Sequence, residues 1–346
     1  ILNDAGQGVR AFKSSTGKPL LFVISDLRLR KATQKLVRSL RQQRYSVQVH
    51  EVHASEDFKS FKCLYSLYEW LLKHKADRNS VLFAVGGGVI GDTVGFLAGT
   101  YLRGIRWIGV PTTLLAQVDS SVGGKTGVNH ELGKNLIGVF HQPIGVLCDF
   151  DFLGTLSQRD RISGLGEMIK YGLVFDPSLY SALEKNFETL LQGDSAAFLP
   201  FVQRCLKWKM KAVEKDEKDR FGFREVLNFG HTLGHALEKE GGYGYYRHGE
   251  AVILGMRMAC HLSVLRGYLG KETYRGIEDF LSRIPVPPLP RIMKTQKVID
   301  RVKWDKKANQ GRVRFILLKK IGQTRVDDRI SDAELKQVVE SLRSSE

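Results

Sequence analysis

Short apolar runs alternate with longer amphipathic ones through the first 150 residues. Residues 20–24, 45–49, 81–85 and 106–110 are of strand length and rich in β-branched and aromatic side chains. Residues 27–44 and 57–75 separate the first three of these runs and carry apolar residues at helical spacing, the first on a strongly basic background. Strands alternating with helices predict a mainly parallel, doubly wound sheet. Beyond about residue 155 the period changes. Helical patterning dominates through 183–185, 198–215, 226–240 and 250–266, and β-branched alternation returns only at 313–318. The chain therefore reads as an α/β domain, residues 1–155, followed by a mostly α-helical domain, residues 156–346. The proline-rich stretch 285–290 is a stiff connector within the second, and Ser331 and Asp332 cap a closing helix.

With 42% hydrophobic and 26% charged residues, the 346-residue chain has the profile of a folded globular protein, not a disordered one. It contains no apolar run of about 18 residues, the length a membrane helix needs. Cys63, Cys148, Cys205 and Cys260 lie far apart, which excludes a disulfide framework and a thiolate zinc site and fits the reducing cytoplasm. The net charge of +16 is spread thinly and lacks any nucleic-acid recognition module. It reads as a solvated basic face that also draws in small anions.

Candidate chemistry begins where the third strand runs into glycines. Gly86, Gly87, Gly88, Val89, Ile90, Gly91 and Asp92 satisfy the Gly-x-Gly-x-x-Gly pattern between a buried strand and a helix expected over 92–99. Such a turn lets backbone N–H groups and a helix N-terminus approach a pyrophosphate. It departs from the usual dinucleotide fingerprint, because it follows the third strand and has no acid about 20 positions later. Residues 110–128, which include Thr112, Thr113, Asp119 and Lys125, are crowded with small and polar side chains and read as a ligand-binding loop. Lys134 and Asn135 follow shortly after it.

Further along, His231 and His235 lie four apart on one helical face, and His248 follows a Gly/Tyr-rich loop. Glu167, in a separate helical stretch, is an acid able to complete the set. Two nitrogens and an oxygen around an open position suit a catalytic zinc ion, and the absence of His-Glu-x-x-His argues against a zinc protease. Lys170, Lys209, Arg224 and the turn 305–307 surround the cluster with positive charge, which points to a substrate bearing phosphate and carboxylate.

Four blocks, residues 86–99, 111–135, 164–171 and 224–238 with 248–250, together resemble the 3-dehydroquinate synthase family of sugar-phosphate cyclases. The resemblance implies a Rossmann-like, NAD-binding first domain and a helical metal- and substrate-binding second domain. It implies NAD contacts at Asp26, Glu56, Lys59, Gly88, Asp92, Thr112, Thr113, Lys134 and the turn Phe152, Leu153, Gly154 and Thr155. Asp119 and Lys125 would stand where nicotinamide meets substrate. Zinc, or cobalt, would be held by Glu167, His231 and His248. Lys170, Lys209, Arg224, Asn228, His235 and Lys306 or Lys307 would bind the substrate, joined by Asn135 and by Arg103, which could reach a neighbouring subunit of a homodimer.

The implied reaction turns a heptulosonate 7-phosphate into 3-dehydroquinate and phosphate, with NAD reduced and reoxidised in each cycle. Arg28 departs from the family pattern, standing where a small polar residue often contacts NAD. The 209–224 and 235–248 spacings each run one residue long. The alternatives are a cyclase making an inosose or valiolone and a metal-dependent polyol dehydrogenase.

Overall fold

The computed structural model describes residues 17–219, 222, 224–242, 244–308 and 313–344, apart from the side chains of 305–308 and 344. The chain divides into two compact units, Ile1–Gly154 and Thr155–Glu346.

The first unit is laid down as β1 (Leu21–Asp26), α1 (Arg30–Gln42), β2 (Val47–Val52), α2 (Phe61–Lys73), β3 (Val81–Gly86), α3 (Gly88–Thr100) and β4 (Arg106–Pro111). A hairpin of β5 (Lys125–His130) and β6 (Gly133–Phe140) follows, and then β7 (Gly145–Val146). Five strands form one sheet in the order β2-β1-β3-β4-β7, parallel throughout. All six residues of both β1 and β3 are buried, because a parallel sheet is covered on both faces. The two-residue period of the strands sorts them cleanly. Phe22, Ile24, Leu82 and Ala84 pack with Leu64, Leu67 and Leu71 of α2 and with α3. Leu21, Val23, Val81, Phe83 and Val85 pack with Leu36, Val37 and Leu40 of α1 on the opposite face.

Pairing is unshifted across β2, β1, β3 and β4, so Asp26 and Val52 finish side by side, as do Gly86 and Pro111. The chain leaves β1 to one side for β2 and later returns on its other side as β3. That reversal of order is where open α/β sheets bind ligands, at the carboxyl ends of their strands.

Two expectations for this unit need correcting. The helix after the glycine turn begins at Gly88, not at residue 92, so part of the motif is itself the helix N-terminus. The stretch 110–128 is less loop than expected, since it contains a π-helical turn, Ala116–Ser120, and much of β5. Gly127 and Gly138 hid the strand alternation. A Cβ on Gly138 would lie 2.1 Å from the Thr126 carbonyl, so the hairpin tolerates nothing larger there.

The second unit contains α4 (Gln158–Phe175), α5 (Pro177–Gln192), α6 (Ser195–Lys215), α7 (His231–Glu240), α8 (His248–Leu265), α9 (Lys271–Ser282) and α10 (Thr295–Ala308). It ends with the hairpin β8 (Phe315–Lys320) and β9 (Gln323–Asp327), then α11 (Asp332–Ser344). Helix α8 is apolar on nearly every side and forms the axis of the unit, touching α4, α7, α9, α11 and β8. The single helix expected over 226–240 is instead a 3-10 turn, Glu225–Asn228, and α7, separated at Gly230 with φ +77°. Only glycine takes that conformation without strain.

Asp176 ties α4, α5 and α6 together. Its carboxylate caps α5 through Leu179 N (3.0 Å) and accepts from Arg204 Nη2 (2.7 Å) and Trp208 Nε1 (3.2 Å) of α6. Burial alone would raise its pKa, but the hydrogen bonds from Arg204, Trp208 and Leu179 outweigh burial and hold it below the ordinary carboxylate range. A depressed folded pKa contributes stability that is fully present above the unfolded value of about 3.9 and is lost as pH falls through the folded one. Asp176→Ala is expected to cost about 2–3 kcal/mol in urea unfolding at pH 7, from a lost cap and a lost charged hydrogen bond. The gap to the parent should narrow in acid; a gap that stays constant below pH 3 would contradict this role.

Candidate functional site

In the first unit the glycine turn follows β3 directly. A Cβ on Gly87 would lie 3.1 Å from Thr113 Cγ2, and one on Gly88 would lie 3.3 Å from Ser120 Oγ. Side chains here would therefore fill the hollow bordered by Gly86, Gly88, Asp92, Ser120 and Lys125. The π-helical turn walls this hollow through Ala116 and Ser120. Gln117, fully buried, holds the turn in place by donating from Nε2 to the carbonyls of Pro111 (3.2 Å) and Asp149 (2.9 Å). Glycines with backbone N–H groups at a helix N-terminus suit the pyrophosphate of a dinucleotide.

Beside the turn, several expected residues meet in one polar network. The buried Lys59 ammonium donates to Asp92 Oδ2 (2.6 Å) and to Asn135 Oδ1. Asn129 donates from Nδ2 to Glu56 Oε1 (2.8 Å), while its Oδ1 accepts from Asn135 N (2.9 Å). Lys134 Nζ lies 3.9 Å from Glu56. The β5–β6 hairpin thus places Lys134 and Asn135 against residues that precede α2 and begin α3. Asn129 was not anticipated; only pairing of the hairpin brings it here.

Asp26 ends β1, gripped by Arg28, and lies level with Gly86. An acid thus stands beside the glycine turn on the neighbouring strand, before it in sequence. Phe152, Leu153, Gly154 and Thr155 lie in the 3-10 stretch Phe150–Thr155. Arg103 is not brought to the glycine turn: it sits between α3 and β4, at the opposite end of the sheet, with φ +68°.

In the second unit, close backbone contacts build the other cluster. A Cβ on Gly249 would stand 1.9 Å from Ser163 O, and one on Gly166 would stand 2.7 Å from Gly249 O, so α4 and α8 touch backbone to backbone. Helices α7 and α8 do the same at Gly255, where a Cβ would lie 2.0 Å from Gly230 O. Three helices so close bring Glu167 of α4, His231 at the start of α7 and His248 at the start of α8 to a common point. Glu167 Oε1 lies 3.2 Å from His231 Nε2 and 3.3 Å from His248 Nε2.

The partners of the other ring nitrogens fix the tautomers. His231 Nδ1 faces the carbonyl of Phe229 (3.1 Å) and His248 Nδ1 faces Glu238 Oε2 (3.1 Å). A carbonyl and a carboxylate only accept, so both Nδ1 atoms donate and both Nε2 atoms turn toward Glu167. The carboxylate of Glu167 is wholly buried, held by the ammonium of Lys170 and the two imidazoles. A buried carboxylate in this condition suits a cation. Burial would raise the Glu167 pKa, but Lys170 and His231 outweigh it and hold it well below the usual range. Burial would lower that of His248, yet its contacts with Glu167 and Glu238 hold it up at about 10.

Glu167, His231 and His248 offer three ligand atoms within 4.8 Å of one another, the set expected from the sequence; His235, Glu238 and His248 form a second such group. Glu238 was missed, although its position seven residues after His231 puts it on the same face of α7. Half-exposed Arg159 donates two hydrogen bonds of 2.6 Å to the buried Glu250 carboxylate, further locking α4 to the first turn of α8. Lys170, Lys209 and Arg224 are buried, whereas Asn228 and His235 are exposed. The side chains of Lys306 and Lys307, at the end of α10, lie outside the described residues.

Two family models match the chain. The 3-dehydroquinate synthase N-terminal model matches residues 49–163, and the C-terminal model matches residues 164–308. The chain belongs to the 3-dehydroquinate synthase family. A 3-dehydroquinate synthase of Desulforamulus reducens is 41% identical over 320 residues, 92% of this chain and 89% of that one. One from Thermodesulfovibrio yellowstonii is 40% identical over 344 residues, 98% and 96% of the two chains. Among solved structures, 2-epi-5-epi-valiolone synthase of Streptomyces hygroscopicus subsp. jinggangensis, with NAD+ and Zn2+ bound, is similar at a TM-score of 0.86 and 25% identity. That match covers 95% of this chain and 91% of the other. Glycerol dehydrogenase of Schizosaccharomyces pombe, at 15% identity and a TM-score of 0.64, shares the fold; the match covers 98% of this chain and 87% of that one.

If the helix contact builds the metal site, Gly249→Ala should lose stoichiometric zinc and about 2–3 kcal/mol of stability, because its Cβ has no room. Gly276→Ala, in α9 with nothing within 4 Å of the added carbon, is the control and should keep both. Full zinc occupancy in Gly249→Ala would refute the dependence.

Proposed function

We propose that this chain catalyses the 3-dehydroquinate synthase reaction, converting 3-deoxy-D-arabino-heptulosonate 7-phosphate to 3-dehydroquinate and phosphate. The observation that carries the reading is the pair of Nε2 atoms facing the buried carboxylate of Glu167, in a chain about 40% identical to named synthases over most of its length. The higher identity to synthases than to the valiolone cyclase favours dehydroquinate over the other rings.

When bound, NAD would take and return a hydride, and zinc or cobalt on Glu167, His231 and His248 would polarise the oxygen of the oxidised alcohol. The glycine turn, with Asp26, Glu56, Lys59, Asp92, Thr112, Thr113, Lys134 and residues 152–155, would hold the dinucleotide. Asp119 and Lys125 would orient the reacting end. Lys170, Lys209 and Arg224 are buried cations and would bind the phosphate and carboxylate of the substrate together with Asn135, Asn228 and residues 305–307 at the end of α10. His235, exposed beside the two ligand imidazoles, would move protons to and from the substrate. Elimination needs a proton removed from the carbon next to the new ketone, and the departing phosphate, held by these cations, would accept it.

The test is phosphate release from the heptulosonate phosphate with zinc and trace NAD+, read together with absorbance of NADH. Phosphate and dehydroquinate should appear without lasting NADH, and a chelator should stop both. Steady NADH accumulation would instead mean a polyol dehydrogenase.

The homodimer belongs to the same proposal. Helix α2 exposes Phe61, Tyr65 and Leu72 on one face, and β6 exposes Leu136 and Phe140, more apolar surface than isolated residues explain. Arg103 from one copy would complete the site of the other. Sedimentation equilibrium should give twice the chain mass at micromolar concentration; a monomer would remove Arg103 from the site. No helix among the described residues is long and apolar enough to cross a membrane.

A further inference from the structure

We infer that Arg28 sets the dinucleotide selectivity of the chain by neutralising Asp26, so that an adenosine ribose bearing a 2′-phosphate is accepted alongside one bearing a hydroxyl. The inference rests on the dinucleotide reading of the glycine turn.

In a doubly wound sheet the pyrophosphate lies on the glycine turn of one strand, and the adenosine ribose meets the tip of the strand beside it. Here the turn follows β3, and across the reversal of strand order the neighbour is β1. Register pairs Ser25 with Val85, so the next residue of β1, Asp26, stands level with Gly86. A bare carboxylate at that point accepts the ribose hydroxyls and repels a 2′-phosphate, the usual basis for choosing NAD over NADP.

This carboxylate is not bare. Arg28 donates to it from its backbone N (3.0 Å to Oδ1), from Nε (3.1 Å to Oδ1 and 2.9 Å to Oδ2) and from Nη2. Nη2 also donates to the carbonyl of Ala54, just beyond β2 (3.1 Å). The 3-10 turn Leu27–Leu29, capped by Asp26 itself, holds the guanidinium over the strand tip. Asp26 is buried while the Arg28 side chain is 72% exposed, so the ion pair presents the cation, not the acid, to an arriving ligand. The neighbouring acid on β2, Glu51, paired in register with Ser25, is bound to Arg30 at 2.9 Å in the same way. An acidic strand end has become one of no net negative charge, edged by a planar donor group that matches phosphate.

Equilibrium dialysis or calorimetry of the zinc-loaded chain with NAD+ and with NADP+ tests this without relying on turnover. The parent should bind the two within about tenfold of each other. Arg28→Ser should weaken NADP+ by about 30-fold or more, the loss of a charged hydrogen bond plus exposure of Asp26, with NAD+ changed less than about threefold. Adding Asp26→Asn to Arg28→Ser should recover part of the NADP+ affinity. An NADP+ affinity more than 100-fold weaker than that for NAD+ in the parent, or an unchanged ratio in Arg28→Ser, would overturn the inference while leaving the cofactor reading intact. Binding of neither dinucleotide would overturn both.

Discussion

Helices α4 and α8 lie backbone against backbone at Ser163, Gly166 and Gly249, and the meeting of Glu167 with His231 and His248 depends on that contact. The approach is closer than the 8–10 Å at which ordinary side chains hold helix axes. Gly230 and Gly255 repeat the device between α7 and α8. The glycines cost helix propensity, roughly 1 kcal/mol each in a helix interior. The burial of α8 on nearly all sides and the locking of Arg159 onto Glu250 offset that cost.

Electrostatics then selects what the cluster holds. Glu167 is buried beside Lys170, so it stays ionised, and each ligand imidazole is turned by an acceptor on its far nitrogen. Burial would lower the pKa of His248, and its contacts with Glu167 and Glu238 raise it instead. The first unit uses a different strategy, with glycines where a phosphate must come close and a Lys59–Asp92–Asn135 network beside them.

Much of this was legible in the sequence where a local period carried it. Strands β1, β3 and β4 fell on the apolar runs, since β1 and β3 are buried on both faces and leave no polar interruption, whereas β2 lies two residues further on and β7 was not anticipated. Glu167, His231 and His248 were found from residue type and spacing together with the family resemblance. Features set by long-range pairing were not legible. The β5–β6 hairpin was disguised by glycines that permit its close strands, and the break at Gly230 looked like continuous helix because its flanks keep helical periodicity. Asp26 was named from the family resemblance, but its place beside the glycine turn follows from the order β1-β3, which no local pattern contains. Glu238 carried a weak signal in its spacing from His231, but only the fold shows that its partner is His248.

The central claim is that Nε2 of His231, Nε2 of His248 and the carboxylate of Glu167 share one ion. Anomalous diffraction at the zinc edge from crystals of the zinc-loaded chain tests it most directly. The account expects one strong peak about 2.0–2.2 Å from each of these three groups. A peak held instead by His235, Glu238 and His248 would contradict it, since Glu238 would then be a ligand and not the group that orients His248.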